Sequence, residues 1–314
     1  ASLPDTIKTD GEVSAALRNA SAKAEVLLVL DDVWDAAHEK LLNCVNSDNA
    51  SRILVTTRIR GLLKNSAEVD VGVLSGQESL QLLLSSADMD VGDVEEDSDE
   101  YRIAMEIVEL CGKLPLTLAI AGGMISDNPD GFSDEVVELM KEDRLREQED
   151  EDEMTLEERV ISSSLKMIKG KNKDLILSIF EFFAVFAEDV PVPAGFFNVF
   201  APMLTGEKKE KKAKLLVGNC LTMLLKYNLI KGSLSAGHGV FQHDIVRDYV
   251  INKHMPEQLI ARQKEVVETI LAARPGGIPD DLRPQPNEGF PMPELVSAAT
   301  FNGYVARNLF YHIR

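Results

Sequence analysis

Cysteine is scarce in this sequence. Only three of the 314 residues are cysteines, namely Cys44, Cys111 and Cys220, and each stands far from the others among apolar neighbours. Disulfide-stapled domains and zinc clusters need paired or closely spaced cysteines. The spacing therefore argues against both, and it predicts three buried thiols in a reducing compartment.

Positive charge is also in short supply. The chain has 33 Lys and Arg against 52 Asp and Glu, a formal net charge of -19. A field of this sign repels phosphate backbones and anionic lipid. The one basic cluster is interspersed with Glu207 and Glu210, so it favours a solvated helix start over a nucleic-acid surface. Its members are Lys208, Lys209, Lys211, Lys212 and Lys214.

Long apolar runs are missing. No stretch approaches the ~20 residues that a membrane-spanning helix needs, and the start at 1–5 lacks the basic-then-apolar pattern of a secretory signal. Together with 45% hydrophobic and 27% charged residues, this predicts a soluble, cytoplasmic protein of several domains. The missing initiator Met and the C-terminal run at 308–314 favour a segment of a longer protein.

A phosphate-binding loop of the form Gly-x-x-x-x-Gly-Lys-Ser/Thr is absent as well. The two Gly-Lys pairs, Gly112-Lys113 and Gly170-Lys171, lack both the upstream glycine and the hydroxyl residue. This chain therefore lacks the loop that cradles nucleotide phosphates in many NTPases.

What is present begins with a buried strand. The run at 25–30 is apolar after its first residue, partly β-branched, and ends in Asp31-Asp32, a pattern typical of a strand buried on both faces of a parallel sheet. Residues 15–24 predict a preceding helix, and 51–58 predict a second strand with polar residues at its carboxyl end. The sequence therefore predicts the edge of an α/β domain.

Helical spacing replaces this pattern from Ser75 onward. An acidic stretch at 147–153 favours a solvated linker or helix face. Beyond it, three helices and a β-hairpin predict a winged helix, and four phenylalanines in the second helix predict core packing: Phe180, Phe182, Phe183 and Phe186. The predicted elements are helices at 155–168, 174–186 and 215–226, strands at 228–233 and up to Gln242, a helix at 256–273, a loop at 274–293 and a helical start from Glu294.

The two aspartates carry a chemical prediction. Carboxylates at the carboxyl end of a buried strand face the crevice where ligands reach an open sheet. Asp31 would hold Mg²⁺, directly or through water, and Asp32 would orient or deprotonate an attacking water. The alternative is a pair of turn or N-cap aspartates with no ligand.

Four motifs in a fixed order extend this interpretation. They are Val29-Leu30-Asp31-Asp32-Val33-Trp34, the strand Ser51–Arg58, Cys111-Gly112-Lys113-Leu114-Pro115-Leu116-Thr117-Leu118-Ala119 and Gln242-His243-Asp244. They resemble the kinase-2, RNBS-B, GLPLA and MHD motifs of the NB-ARC family, the nucleotide-switch ATPase module of plant disease-resistance and animal apoptosome proteins. The resemblance covers roughly residues 15–251.

The resemblance implies a multidomain α/β plus α fold. Residues 1–74 would be the C-terminal part of a parallel-sheet P-loop NTPase domain, 75–146 a small helical domain and 154–254 a winged-helix domain. Residues 255–314 would begin a further helical region that leads to a sensor. The phosphate-binding loop would lie before Ala1.

The resemblance also assigns residue roles. Arg58 would be the catalytic sensor that detects the γ-phosphate, a role suited to a planar, permanently charged guanidinium. Pro115 and Leu116 would lie against the adenine and ribose, with Lys113 an insertion-like departure from the motif. The alternatives are a surface arginine that closes a strand and a proline that starts a packed helix.

His243 would contact the β-phosphate of bound ADP, and Asp244 would orient it or cap the next helix. A lone histidine is otherwise a core or surface residue. Gln242 replaces the usual Met, which should affect packing more than phosphate contact.

These roles imply an ADP/ATP switch that is closed with ADP, opens on nucleotide exchange and then self-oligomerises. Slow ATP hydrolysis by the intact protein would reset it, and signalling and sensor domains would lie in the same longer chain. The other hypothesis is a non-catalytic winged-helix scaffold or transcription regulator with a degenerate NTPase fold. No nucleic-acid partner is expected under the first hypothesis.

Overall fold

The computed structural model describes residues 9–46, 49–128, 131–132, 134–146, 154–187, 190–235 and 238–272. The chain divides into two compact units, the first ending at Gly72 and the second beginning at Val73.

The first unit is an α/β segment. Its elements are α1 (Asp10–Ser21), β1 (Leu27–Val33), α2 (Ala36–Leu42) and β2 (Arg52–Thr57). The two strands are parallel, with Leu27 opposite Arg52 and Leu30 opposite Val55. A capping box between Thr9 and the backbone and side chain of Glu12 starts α1. The two predicted strands and the helix before them are confirmed.

The prediction that β1 is buried on both faces is wrong. Leu27, Val29 and Leu54 are 67%, 53% and 56% exposed, whereas Leu30 and Val33 are buried. The exposed and buried residues alternate because successive side chains of a strand point to opposite faces. In this unit α2 packs against β1 and α1 packs against α2, and no element in the described part of the unit covers the opposite face.

The second unit is mainly helical. Its helices are α3 (Gly76–Ser86), α4 (Asp99–Leu110), α5 (Pro115–Asp127), α6 (Asp134–Arg146), α7 (Leu156–Met167), α8 (Lys173–Phe182), α9 (Ala194–Thr205), α10 (Glu210–Lys226), α11 (Asp244–Lys253) and α12 (Pro256–Ala272). Two short strands, β3 (Lys231–Gly232) and β4 (Val240–Phe241), form an antiparallel hairpin. Single 3₁₀ turns occupy 91–93 and 183–185.

Most of the helices predicted for this unit are present in the structure. Two further helices in the structure were not predicted. The helices α6 and α9 stand in stretches to which sequence reasoning gave no element. In α9 the signal is obscured because Pro193 precedes the helix and Pro202 lies within it, and prolines normally mark breaks. The acidic stretch at 147–153, the loop at 274–293 and the region from Glu294 lie outside the described residues.

An aromatic core organises the second unit. Phe180, Phe182, Phe183 and Phe186 are all buried, which confirms their predicted packing role. They meet the phenylalanines of α9, with ring centroids of Phe183 and Phe197 5.2 Å apart. Burying one such side chain contributes about 1.5–3 kcal/mol, so this cluster is a main source of the unit's stability.

Helix α5 crosses its neighbours at very short range through two glycines. A Cβ atom at Gly122 would lie 2.4 Å from the Cβ of Ser86 in α3. A Cβ atom at Gly123 would lie 2.4 Å from the carbonyl oxygen of Lys226, at the end of α10. Only glycine permits both approaches, because real Cβ atoms do not come this close to other heavy atoms.

Two of the three cysteines confirm the prediction of buried thiols. Cys111 and Cys220 are buried, and burial raises the pKa of Cys111 to about 12 and that of Cys220 to about 11. Cys44 is only half-buried, so for this residue the prediction is wrong. It follows α2 in the first unit, where several apolar side chains of the two strands are also exposed.

Candidate functional site

The paired aspartates lie near the carboxyl end of β1. The pairing of β1 with β2 becomes irregular between Leu30 and Val33, and Asp32 there has a positive φ of 50°. Aspartate tolerates this left-handed conformation better than most residues do. Asp31 and Asp32 are both exposed, so both carboxylates are open to a ligand at the end of the sheet.

Thr56 of β2 joins the two aspartates. Its hydroxyl donates to Oδ1 of Asp31, and the backbone N–H of Asp32 donates to Oγ1 of Thr56 over 2.8 Å. One hydroxyl therefore fixes both the Asp31 carboxylate and the turn at Asp32. Sequence reasoning did not single out Thr56, because its place beside Asp31 depends on the strand register. The available signal was a hydroxyl residue at the carboxyl end of the neighbouring strand.

Arg58 immediately follows β2. Thr57, the last residue of β2, lies opposite Val33 of β1, which places Arg58 just past the end of the sheet that carries the aspartates. Its side chain is exposed, and no ion pair of Arg58 is found within the described residues. A guanidinium in this position can reach an anion that approaches the sheet end.

In the second unit, a tightly bonded turn precedes Pro115. Gly112 and Lys113 both have positive φ, 59° and 58°, and their N–H groups donate to the carbonyls of Glu109 and Val108. These are the two bonds of a Schellman motif that ends α4. Lys113, the residue that departs from the motif, therefore has a left-handed conformation that glycine would adopt with less strain.

Thr117 secures the beginning of α5. Its hydroxyl lies 2.7 Å from the carbonyl oxygen of Cys111 and 2.9 Å from that of Leu114. Pro115 is the first residue of α5 and is exposed, and Leu116 is half-buried. The turn thus presents a rigid apolar proline at the surface of the unit.

His243 is the N-cap of α11. Its Nδ1 contacts the carboxylate of Asp244, and the same carboxylate accepts the N–H of Ile245 over 2.8 Å. Asp244 therefore faces both the histidine ring and the helix start. Because Nδ1 is engaged, Nε2 is the ring nitrogen left for a ligand.

Helix α7 packs against α5, which begins with Pro115, and against α11, which begins after His243.

Gln242 is a buried amide beside this histidine. Its side chain is 4% exposed, and its Nε2 donates to the carbonyl of Phe180 over 3.3 Å. Its Oε1 is buried and has no hydrogen-bond partner. A buried acceptor without a partner costs about 1–3 kcal/mol, so Gln242 lowers the stability of the core at this position.

We expect Gln242→Met to raise the free energy of unfolding by about 1 kcal/mol. The carbonyl of Phe180 keeps a partner, because it also accepts the N–H of Phe183. Urea unfolding of the chain measures the change. Gln263→Met is the matched control, since Gln263 donates to the carbonyl of Val185 over 2.6 Å and its replacement should lower stability. Equal losses in both variants would contradict the prediction.

A parallel-strand segment with aspartates at its carboxyl end is typical of nucleotide-binding α/β domains. Residues 3–91 match the family model of the NB-ARC domain, which confirms the resemblance seen in the motifs. The NB-ARC family consists of nucleotide-binding signalling modules, so nucleotide binding is supported at the level of the family.

Similar proteins come from plants, animals and bacteria. The chain is 32% identical over 106 residues to putative disease resistance RPP13-like protein 3 of Arabidopsis thaliana, a match that covers 32% of this chain and 12% of that protein. It is 26% identical over 245 residues to apoptotic protease-activating factor 1 of Danio rerio, covering 77% of this chain and 18% of that protein. It is 30% identical over 125 residues to regulatory protein AfsR of Streptomyces griseus, a match that covers 40% of this chain and 12% of that protein.

The matches cover less than a fifth of the length of each of these relatives. None of the described helices is long and apolar enough to cross a membrane.

Proposed function

We propose that this chain forms part of an ADP/ATP switch in a signalling protein. The observation that carries the proposal is the arrangement of Asp31 and Asp32 around Thr56, at the end of two parallel strands inside the matched NB-ARC region. Carboxylates at this edge of a sheet face the crevice where nucleotides bind in such folds.

The first unit supplies the groups for the phosphate end of the nucleotide. Asp31 would hold Mg²⁺, Asp32 would orient or deprotonate the attacking water, and Arg58 would contact the γ-phosphate. Bound Mg²⁺ would supply charge neutralisation for the phosphates. The residues present fit this ion: Asp31 offers an exposed carboxylate, and Mg²⁺ typically takes one or two carboxylates with phosphates and waters. No cluster of three or more metal-binding side chains occurs among the described residues.

The second unit carries candidate nucleotide contacts of its own. Pro115 and Leu116 form an apolar surface for adenine and ribose, held by the turn before α5. His243 contacts the β-phosphate of ADP, with Asp244 fixing the ring. ADP thus favours the state with the histidine contact, and the γ-phosphate favours the state detected by Arg58. A ligand shifts such an equilibrium only by its difference in affinity for the two states.

The order of the elements in the second unit supports the proposed domains. The hairpin of β3 and β4 follows α10 and precedes α11, the order expected of a winged helix at 154–254 after a helical domain at 75–146. In the longer protein, exchange of ADP for ATP opens the closed state and leads to self-oligomerisation. Signalling and sensor domains in the same chain would couple this change to a stimulus.

We expect ADP to copurify with the longest natural form of the protein. Denaturing release followed by chromatography identifies and quantifies the nucleotide. About one ADP per chain supports the closed switch, because a closed state that contacts the β-phosphate retains ADP through purification. The control is Asp31→Asn, which should reduce Mg²⁺-dependent ATP binding and leave folding intact. No copurified nucleotide, and no binding of added Mg-ADP or Mg-ATP, would reject the proposal.

A second candidate is a non-catalytic winged-helix scaffold or transcription regulator. The helices and hairpin of the second unit and the similarity to a bacterial regulatory protein favour it. Two of the clustered lysines argue against DNA binding, since Lys212 and Lys214 pair with Glu207 and Glu210. Retention of the protein on DNA at low salt separates the two candidates, because phosphate contacts are strongest there.

A further inference from the structure

Four polar residues tie the end of α5 to the end of α10. The Asp127 carboxylate accepts the phenol hydrogen of Tyr227 over 2.8 Å and pairs with Nζ of Lys226, also over 2.8 Å. The side-chain amide of Asn228 donates to the carbonyl of Ala119, within α5, over 2.9 Å. We call Asp127, Lys226, Tyr227 and Asn228 the Asp127 joint.

The joint is built into the core. Tyr227 is fully buried, and burial, followed by the bond to Asp127, raises the pKa of its phenol far above the ordinary value. Asp127 provides the hydrogen-bond acceptor that this buried phenol needs. A buried hydroxyl without a partner is strongly unfavourable, so the position of Tyr227 depends on Asp127.

Close backbone contact holds the same two segments together. Gly123 of α5 leaves room for the carbonyl of Lys226 and the Cα of Tyr227. Asn228 has a positive φ of 54°, which turns the chain sharply away from α10. The turn at 226–228 therefore rests on α5 through its backbone and through three side chains.

This turn leads directly to the candidate phosphate contact. After Leu229 and Ile230, both buried, the chain forms β3, returns through β4 and reaches Gln242 and His243. The other end of α5 begins with Pro115 and Leu116, the candidate adenine contacts. A single helix, α5, thus runs from the candidate adenine contacts to the Asp127 joint, which supports the hairpin before His243.

We propose that Asp127 is a positioning residue that fixes the turn at 226–228 on α5 and thereby holds the hairpin and His243 in the arrangement that retains ADP. This inference rests on the proposed function for its last step. Its structural step, the dependence of the hairpin on Asp127, does not.

The charge of Asp127 makes the test discriminating. Asp127 is the last residue of α5, where a negative charge opposes the helix dipole. If Asp127 had no further role, Asp127→Asn would leave the chain unchanged or slightly more stable. Under the proposal it loosens the hairpin, because asparagine offers one acceptor oxygen to two donors.

Hydrogen exchange of the whole chain provides the first measurement. We expect Asp127→Asn to accelerate exchange of the amides at 229–232 and 240–245 about tenfold, the effect of losing one hydrogen bond to a charged group. Glu135→Gln is the matched control. It removes the same charge from an ion pair with Lys169, 2.6 Å long and exposed. Tyr227→Phe, which keeps the ring and the ion pair, should act in the same direction as Asp127→Asn.

Unchanged exchange at 229–232 and 240–245 in Asp127→Asn, or the same increase in Glu135→Gln, would overturn the proposal. The second measurement is the rate of ADP release from the longest natural form, well below its melting temperature. Faster release in Asp127→Asn and not in Glu135→Gln supports the link to His243, and equal rates with a loosened hairpin reject that link. A wild-type protein without ADP rejects the proposed function and the ADP step, and the exchange result then decides the structural step alone.

Discussion

Replacing Gly123 by alanine is expected to lower the free energy of unfolding by about 2 kcal/mol or more. The added Cβ would lie 2.4 Å from the carbonyl oxygen of Lys226, 2.6 Å from the Cα of Tyr227 and 3.0 Å from its carbonyl carbon. All three are backbone atoms, so no side-chain rotation relieves the contact. Helix α5 and the end of α10 must move apart, which also stretches the bonds of Asp127 to Lys226 and Tyr227.

Gly218→Ala is the matched control for this prediction. Gly218 lies inside α10, and a Cβ built there meets no heavy atom within 4 Å. Alanine should therefore stabilise α10 by about 0.5–1 kcal/mol through its higher helix propensity. The difference between the two variants in urea unfolding isolates the close contact from the helix-propensity effect. A Gly123→Ala protein as stable as Gly218→Ala would show that α5 and α10 do not need their short separation.

The two glycines also show where sequence reasoning stops. The sequence predicts helical spacing from Ser75 onward. The pattern cannot tell that Gly122 meets α3 and Gly123 meets the end of α10, because helical spacing gives the buried face and not the partner. The Asp127 joint is invisible for the same reason, since its residues are about a hundred positions apart along the chain.

The candidate site also contains some residues that the sequence could place and others that it could not. Asp31, Asp32 and Arg58 could be placed from sequence because a run of apolar residues followed by polar ones marks the carboxyl end of a strand. The role of Thr56 required the register between β1 and β2. The open face at Leu27, Val29 and Leu54 was not predicted either. Hydrophobicity shows what a residue favours, whereas burial depends on which elements are there to cover it.

The energetic cost of an unusual residue in a motif also cannot be judged without the structure. The sequence shows Lys113 and Gln242 as unusual residues in otherwise familiar motifs, with no measure of their cost. The structure gives a reason for each: Lys113 takes a left-handed conformation, and Gln242 buries an acceptor without a partner. Both lie next to candidate ligand contacts.

Replacing His243 by alanine is expected to weaken ADP binding about tenfold or more, the effect of losing one hydrogen bond to a charged group. Folding should change little. The N–H of Ile245 lies 3.4 Å from Nδ1 of His243 but 2.8 Å from the Asp244 carboxylate, so Asp244 continues to satisfy the helix start. Calorimetric titration of ADP into the nucleotide-free long form gives the affinity, and urea unfolding of the same variant checks its stability.

His254→Ala separates the phosphate contact from a general effect of losing a histidine. His254 caps the other end of α11, and its Nε2 lies 3.6 Å from the carboxylate of Glu181. Its loss should leave ADP affinity unchanged. An ADP affinity in His243→Ala equal to that of the wild type, or an equal loss in His254→Ala, would contradict the phosphate contact. Under the proposed switch, a selective loss in His243→Ala would also shift the protein toward the open state, because a ligand shifts an equilibrium only by its difference in affinity for the two states.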